Sequence, residues 1–131
     1  DAAGLLARAF GERTELAPGR MRPVLLTEGG GIARASVVGW CLAPAHFLLT
    51  MAANELETVR QRLEALVAAS ERPLRLKLTE VTDEWGGIAL MGPKAEALLA
   101  DSLPMSVMGE RLPPMHFREF TQDDLPVRQK S

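Results

Sequence analysis

Few residues of this chain combine the type and spacing that chemistry demands, and each has an ordinary structural role competing with it. Glu28-Gly29-Gly30-Gly31 is the first candidate. A phosphate-cradling loop runs its glycines into a helix N-terminus, with Lys-Ser/Thr in the Walker case, so that backbone N–H groups converge on the anion. Here the glycines lead into a Val-rich stretch without Gly-Lys-Ser/Thr, which predicts a hairpin turn. His46 and His116 are the only histidines, and neither lies in an H-E-x-x-H or comparable ligand spacing, so no metal is expected. No G-x-S-x-G surrounds a serine, so a hydrolase elbow is absent. Cys41 sits between Trp40 and Leu42 with no electropositive neighbourhood, and reads as a buried, inert thiol. Asp83-Glu84 would serve as an acid/base pair only if both carboxylates faced one site. Adjacent strand residues point to opposite faces, so a turn or solvated edge is the better reading. Met91, Met105, Met108 and Met115 could line an adaptable apolar pocket, although core filling is the commoner use of methionine.

The elements that must position these residues follow from periodicity. Asp1 can cap a first helix in which Ala2, Leu5, Leu6 and Ala9/Phe10 form an apolar stripe, ended by Gly11. Met21 to Thr27, Ile32 to Leu42 and His46 to Met51 read as three strands of an antiparallel meander, with Pro23 marking an edge or a strand start. Asn54 is a good N-cap for the next helix, with Glu57 in the capping-box position. Leu56, Val59, Leu63, Leu66 and Val67 then form one continuous apolar face. Leu74, Leu76 and Leu78 alternate with Arg75, Lys77 and Thr79, the period-two pattern of a half-buried strand. Thr79 to Ala100 reads as a strand around Trp85, Ile88, Leu90 and Met91 that breaks at Gly92 and turns into a helix. Gly92 takes the N-cap position there and Pro93 the first helical position. Leu103 to Pro114 is a loop, His116 to Phe120 a short strand, and Pro126 to Arg128 the start of another. Helices interleaved with antiparallel strands predict an α+β two-layer domain, a mostly antiparallel sheet packed against two or three helices.

Composition bounds the function classes. With 131 residues, 47% hydrophobic and 24% charged, the chain is most simply one soluble domain able to bury a core. A net charge of −2 gives no basic field for nucleic acid or an anionic membrane, so nucleic acid is an unlikely partner and no membrane is expected. No apolar run approaches a membrane span. A single cysteine excludes an internal disulfide and fits a reducing compartment, so the expected location is the cytoplasm. The chain opens without methionine inside a helical pattern and closes as a strand begins. Residues 1–131 therefore read as one partial domain truncated at both ends.

Four segments, taken in order and spacing, resemble a known family. They are P-G-R-M-R-P-V-L-L-T-E-G-G-G-I (18–32), A-P-A-H-F-L-L-T-M-A-A-N (43–54), V-T-D-E-W-G-G-I-A-L-M-G-P-K-A-E-A-L-L (81–99) and L-P-P-M-H-F-R-E-F (112–120). Together they look like the folate-binding domain of the glycine-cleavage aminomethyltransferase (T-protein) superfamily. The aromatic of D-E-W before G-P-K-A, and the F-L-L-T phrase, look closest to the alpha subunit of heterotetrameric sarcosine oxidase. The resemblance implies tetrahydrofolate as cofactor, accepting a one-carbon unit from an N-methyl or aminomethyl donor. In the sarcosine-oxidising branch it also implies a flavin-carrying partner subunit. Contact with the folate-like small molecule falls, by the same resemblance, to Val37, Leu49 and Asn54. Such a reaction needs a cleft for the pteridine and a carboxylate to manage proton transfer.

The departures fall on the chemistry. The family's Asp-Asp pair after the turn glycines reads Arg34-Ala35 here, and a guanidinium cannot act as a base. Pro23 replaces an expected aromatic, Met51 stands where the T-protein has a folate-contacting asparagine, and the glycine-glutamate-tyrosine motif lies beyond Ser131. No catalytic residue can be assigned, and a non-catalytic scaffold or ligand-binding module of the same fold, or a tRNA-modification-type protein, is the alternative. Restoring Asp at 34 and 35 in a longer parent protein is expected to raise methylenetetrahydrofolate formation. Unchanged formation would remove the catalytic role from these positions.

Overall fold

The computed structural model describes residues 1–11, 16–28, 31–103 and 111–131. Its elements are α1 (Ala2–Phe10), β1 (Met21–Glu28), β2 (Ile32–Ala43), β3 (His46–Met51), α2 (Leu56–Ala68), α3 (Ala95–Ser102), β4 (Phe117–Gln122) and β5 (Leu125–Lys130). The strands β1, β2 and β3 form an antiparallel meander with β2 in the centre, and β4 and β5 form a separate hairpin. The architecture is the α+β class expected from the alternation of periods. The three strands of 21–51 lie where the Val/Leu/Ile-rich runs place them.

Alternation along β2 divides the molecule into two layers of contact. Ala35 and Val37 face α1 and α2, where they join Leu5, Leu6, Ala9, Leu26, Val59 and Leu63 in the main core. These helical residues are the ones that helical periodicity put on a single face. On the opposite face, Trp40 joins Met21 and Phe117 in a second cluster, with Val38, Leu42 and Leu48 packed around it. The Trp40 and Phe117 rings meet at 5.3 Å between centroids, tilted by 60°, a favoured aromatic geometry. Trp40 Nε1 donates to Thr50 Oγ1 at 2.9 Å, which satisfies the one polar atom of the indole.

The hairpin β4–β5 is held to the meander by backbone bonds. Phe117 N–H donates to Gly19 C=O and Met21 N–H to Met115 C=O, and Arg20 forms a bridge with His116. Gly19 has φ +81°, a left-handed conformation that glycine adopts without strain. Asp123 and Asp124 both have positive φ, 48° and 64°, and link Gln122 to its partner Leu125 as a two-residue hairpin turn.

Several sequence-based expectations need correction. Leu74 and Leu76 do pack on the core, but residues 73–81 pair with no described strand. A period-two pattern supplies a face, whereas a strand also needs a partner for its N–H and C=O groups. The run around Trp85 to Met91 is likewise outside any sheet, with Ile88 97% and Met91 87% exposed. The bend at Gly92 therefore joins an unpaired segment, not a strand, to a helix. Helix α3 starts at Ala95 with Lys94 at the N-cap, because Gly92 has φ +127° and its C=O accepts Ala95 N–H in a preceding turn. Nothing on α3 is buried. Asn54 is not the cap of α2. The chain enters helical geometry early through a 3₁₀ turn, Ala53–Glu55, which moves the N-cap to Glu55. Met91 and Met115 are exposed and fill no core, and Met105 and Met108 lie outside the described residues. Gly29 and Gly30 also lie outside them, although Glu28 pairs with Ile32 across that turn.

Deleting packed volume from the main core is expected to dominate stability. Leu63→Ala should cost about 2–5 kcal/mol. Leu98→Ala, on the exposed surface of α3, should change stability by less than about 0.5 kcal/mol. Urea midpoints of the two variants measure the difference.

Candidate functional site

The stretch of β2 just after the first hairpin is where the polar groups gather. Leu26 pairs with Ala35 but Thr27 pairs with Ala33, so Arg34 is the extra residue of a β-bulge. Arg34 is exposed, while Ala35, 3% exposed, continues the inward alternation of Val37 beneath the helices. β3 ends at Met51, opposite Val37, so the β2 backbone beyond Val37 has no strand beside it on that edge. Glu55 fills the gap: its Oε1 accepts the backbone N–H of Ser36 at 3.1 Å. A carboxylate thus stands against β2 beside the position where the Asp-Asp pair was expected, but it arrives from the turn after β3. Sequence reading missed Glu55. The available signal was an acid four residues past the end of an edge strand.

Val37 and Leu49 belong to the helix-covered side of the same sheet. Val37 is fully enclosed, and Leu49, half-buried, stands opposite Gly39 and packs against the main core. Asn54 is exposed in the 3₁₀ turn, next to Glu55. Asn54 and Glu55 thus share one accessible turn after β3, while Val37 is enclosed in the main core and Leu49 packs against that core.

The remaining candidates separate by environment. Cys41 is fully buried, its Sγ donates to Ala43 C=O at 3.3 Å, and burial pushes its pKa above the ordinary thiol value. That is the inert thiol expected from its neighbours. His46 is exposed at the start of β3, and His116 Nδ1 lies 2.9 Å from Pro114 C=O. Among the described residues no group of His, Cys, Asp and Glu could hold a metal. Asp83 and Glu84 are exposed in a 3₁₀ turn, Thr82–Glu84, as the turn reading had it. The next residue, Trp85, carries the Arg128 guanidinium 4.2 Å from its ring centroid, and Arg128 also pairs with Glu119. A cavity of about 460 Å³ lies between Arg20, Met21, Arg22 and Met115, with Leu16 and Ala17. Met115 is the one residue of the suspected methionine set that lines it. Among the described residues no helix is long and apolar enough to cross a membrane.

An α+β domain with a carboxylate-capped bulge and no described metal site is thus the class that fold and site define. Comparison with protein families gives the next step: the GCVT N-terminal domain matches residues 1–130. The chain belongs to that family, which is of the aminomethyltransferase, glycine-cleavage T-protein type. Neither the curated proteins nor the solved structures contain a match.

The burial of Ala35 corrects the expectation of restoring Asp at both positions, since only position 34 can take the acid at the surface. Arg34→Asp should fold normally, whereas Ala35→Asp places a carboxylate in the apolar core and should cost several kcal/mol unless the acid stays protonated. Thermal melts at pH 7 should show a large loss for Ala35→Asp alone. Cys41 should resist a thiol-labelling reagent at pH 8 in the native protein and react at once in denaturant. Fast native labelling would mean that this strand opens.

Proposed function

We propose that the chain is part of a protein that passes a one-carbon unit from an N-methyl or aminomethyl donor to tetrahydrofolate. Membership of the GCVT N-terminal domain family over residues 1–130 carries this reading. The groups at the rim of β2 suit holding a reduced pterin. The Asn54 amide both donates and accepts, and the Glu55 carboxylate accepts N–H groups. Val37 and Leu49 hold β2 and β3 against the main core, which fixes the strands that carry this rim. When bound, tetrahydrofolate supplies the nitrogens that receive the carbon. A flavin-carrying partner subunit, as in the sarcosine-oxidising branch, would oxidise the amine donor.

Arg34 favours a second reading, a non-catalytic module that keeps the fold for ligand binding or subunit assembly. A guanidinium in the expected place of the carboxylate cannot take up a proton. Calorimetry with 5-formyltetrahydrofolate separates a folate binder from an assembly scaffold. A saturable heat is expected, with Asn54→Ala and Glu55→Gln each weakening binding about fivefold, the equivalent of one hydrogen bond of about 1 kcal/mol. A folded chain that gives no heat would leave only the scaffold.

A further inference from the structure

A second concavity, unrelated to the β2 rim, carries an unbalanced charge. It lies between α1 and the chain leaving α2, has a volume of about 410 Å³, and is walled by Asp1, Gly4 and Arg8 on one side and Ser70, Arg72 and Arg75 on the other. Positions 1, 4 and 8 recur on one face of a helix, so a single side of α1 forms the first wall. Gly4 leaves that wall open: a Cβ placed there would meet nothing within 4 Å.

The three arginines outnumber the groove's one carboxylate. Arg60 on α2 is bridged by Glu57 and Glu64 at 2.7 and 2.8 Å. Arg8, Arg72 and Arg75 make no ion pair with a described carboxylate. The one acid lining the groove, Asp1, uses its Oδ2 to accept the backbone N–H of Arg75 at 2.8 Å. Glu71 lies between Ser70 and Arg72 in sequence but does not line the groove. In a chain of net charge −2, three permanently charged guanidinium groups around one groove run against the overall balance.

We propose that this groove binds a small oxyanion-rich ligand, one that carries a phosphate or a pair of carboxylates. Guanidinium groups present planar N–H pairs that match both kinds of oxygen, and Ser70 adds a hydroxyl donor. This site does not depend on the folate reading, since it shares no residue with the β2 rim.

Calorimetric titration of the chain at constant ionic strength tests it, with inorganic phosphate in one arm and glutarate in the other. One saturable site is expected for at least one probe, and the arm that saturates names the chemistry. Arg72→Gln and Arg75→Gln should each weaken binding by about tenfold or more. Gly4→Glu should abolish it by placing a carboxylate in the groove, while circular dichroism stays native because its Cβ enters open space. Arg62→Gln, an exposed arginine of α2 outside the groove, should bind as the unaltered chain does. Failure of both probes to saturate overturns the proposal, as does an equal loss in Arg62→Gln, which would reduce the effect to net charge.

Discussion

The alternation of side chains along β2 is the constraint on which the rest of this structure depends. Ala35 and Val37 point to the helices, while Val38 and Trp40 point to the β4–β5 side. Burying a side chain such as Val37 contributes about 1.5–3 kcal/mol, so the strand is fixed in register from both faces. A slip by one residue would exchange the two sets, setting Trp40 against α1 and α2 and turning Val37 out. The indole could not then keep its bond to Thr50, which lies diagonally across from it on β3. One strand thus ties the helical layer to the hairpin.

That rigidity has a local exception with chemical consequences. The bulge at Arg34 inserts a residue and shifts the pairing with β1 by one, while the alternation that buries Val37 continues to Ala35 and leaves Arg34 outside. Two adjacent positions that look equivalent in sequence therefore have opposite environments. Only the first can present a polar group to a ligand. The carboxylate near this point, Glu55, is delivered by the turn that follows β3. Its contact with Ser36 N–H also gives an acceptor to one donor of a strand edge that the shorter β3 leaves bare. The polar rim is accordingly assembled from two separate parts of the chain.

Residues 73–94 are organised differently. Leu74 and Leu76 use the main core as an anchor, and Trp85 is pinned under Arg128 of β5. Between and beyond these anchors the backbone has no ladder, and Leu78, Ile88, Leu90 and Met91 remain exposed. A cation over an aromatic ring is worth about 0.5–1 kcal/mol at an exposed site, far less than a packed core residue. The segment is therefore tethered at points, whereas β2 is fixed along its length.

Periodicity alone determined α1, α2 and the three strands of the meander, because each buries one face and writes that face into its residue order. It also determined the character of Cys41, since apolar neighbours on a strand dictate a buried thiol. Tertiary structure decided the rest. Whether Leu74–Leu78 and Trp85–Met91 became strands depended on partners for their backbone groups, which no local pattern encodes. The cap of α2 moved from Asn54 to Glu55 because the turn after β3 fixed where helical geometry began. Which of Arg34 and Ala35 faces out was set by which face of β2 the helices cover, and the bulge at Arg34 is visible only in the pairing with β1. Glu55 near β2, and three arginines around one groove, are juxtapositions of residues far apart in the chain, and only folding brings them together.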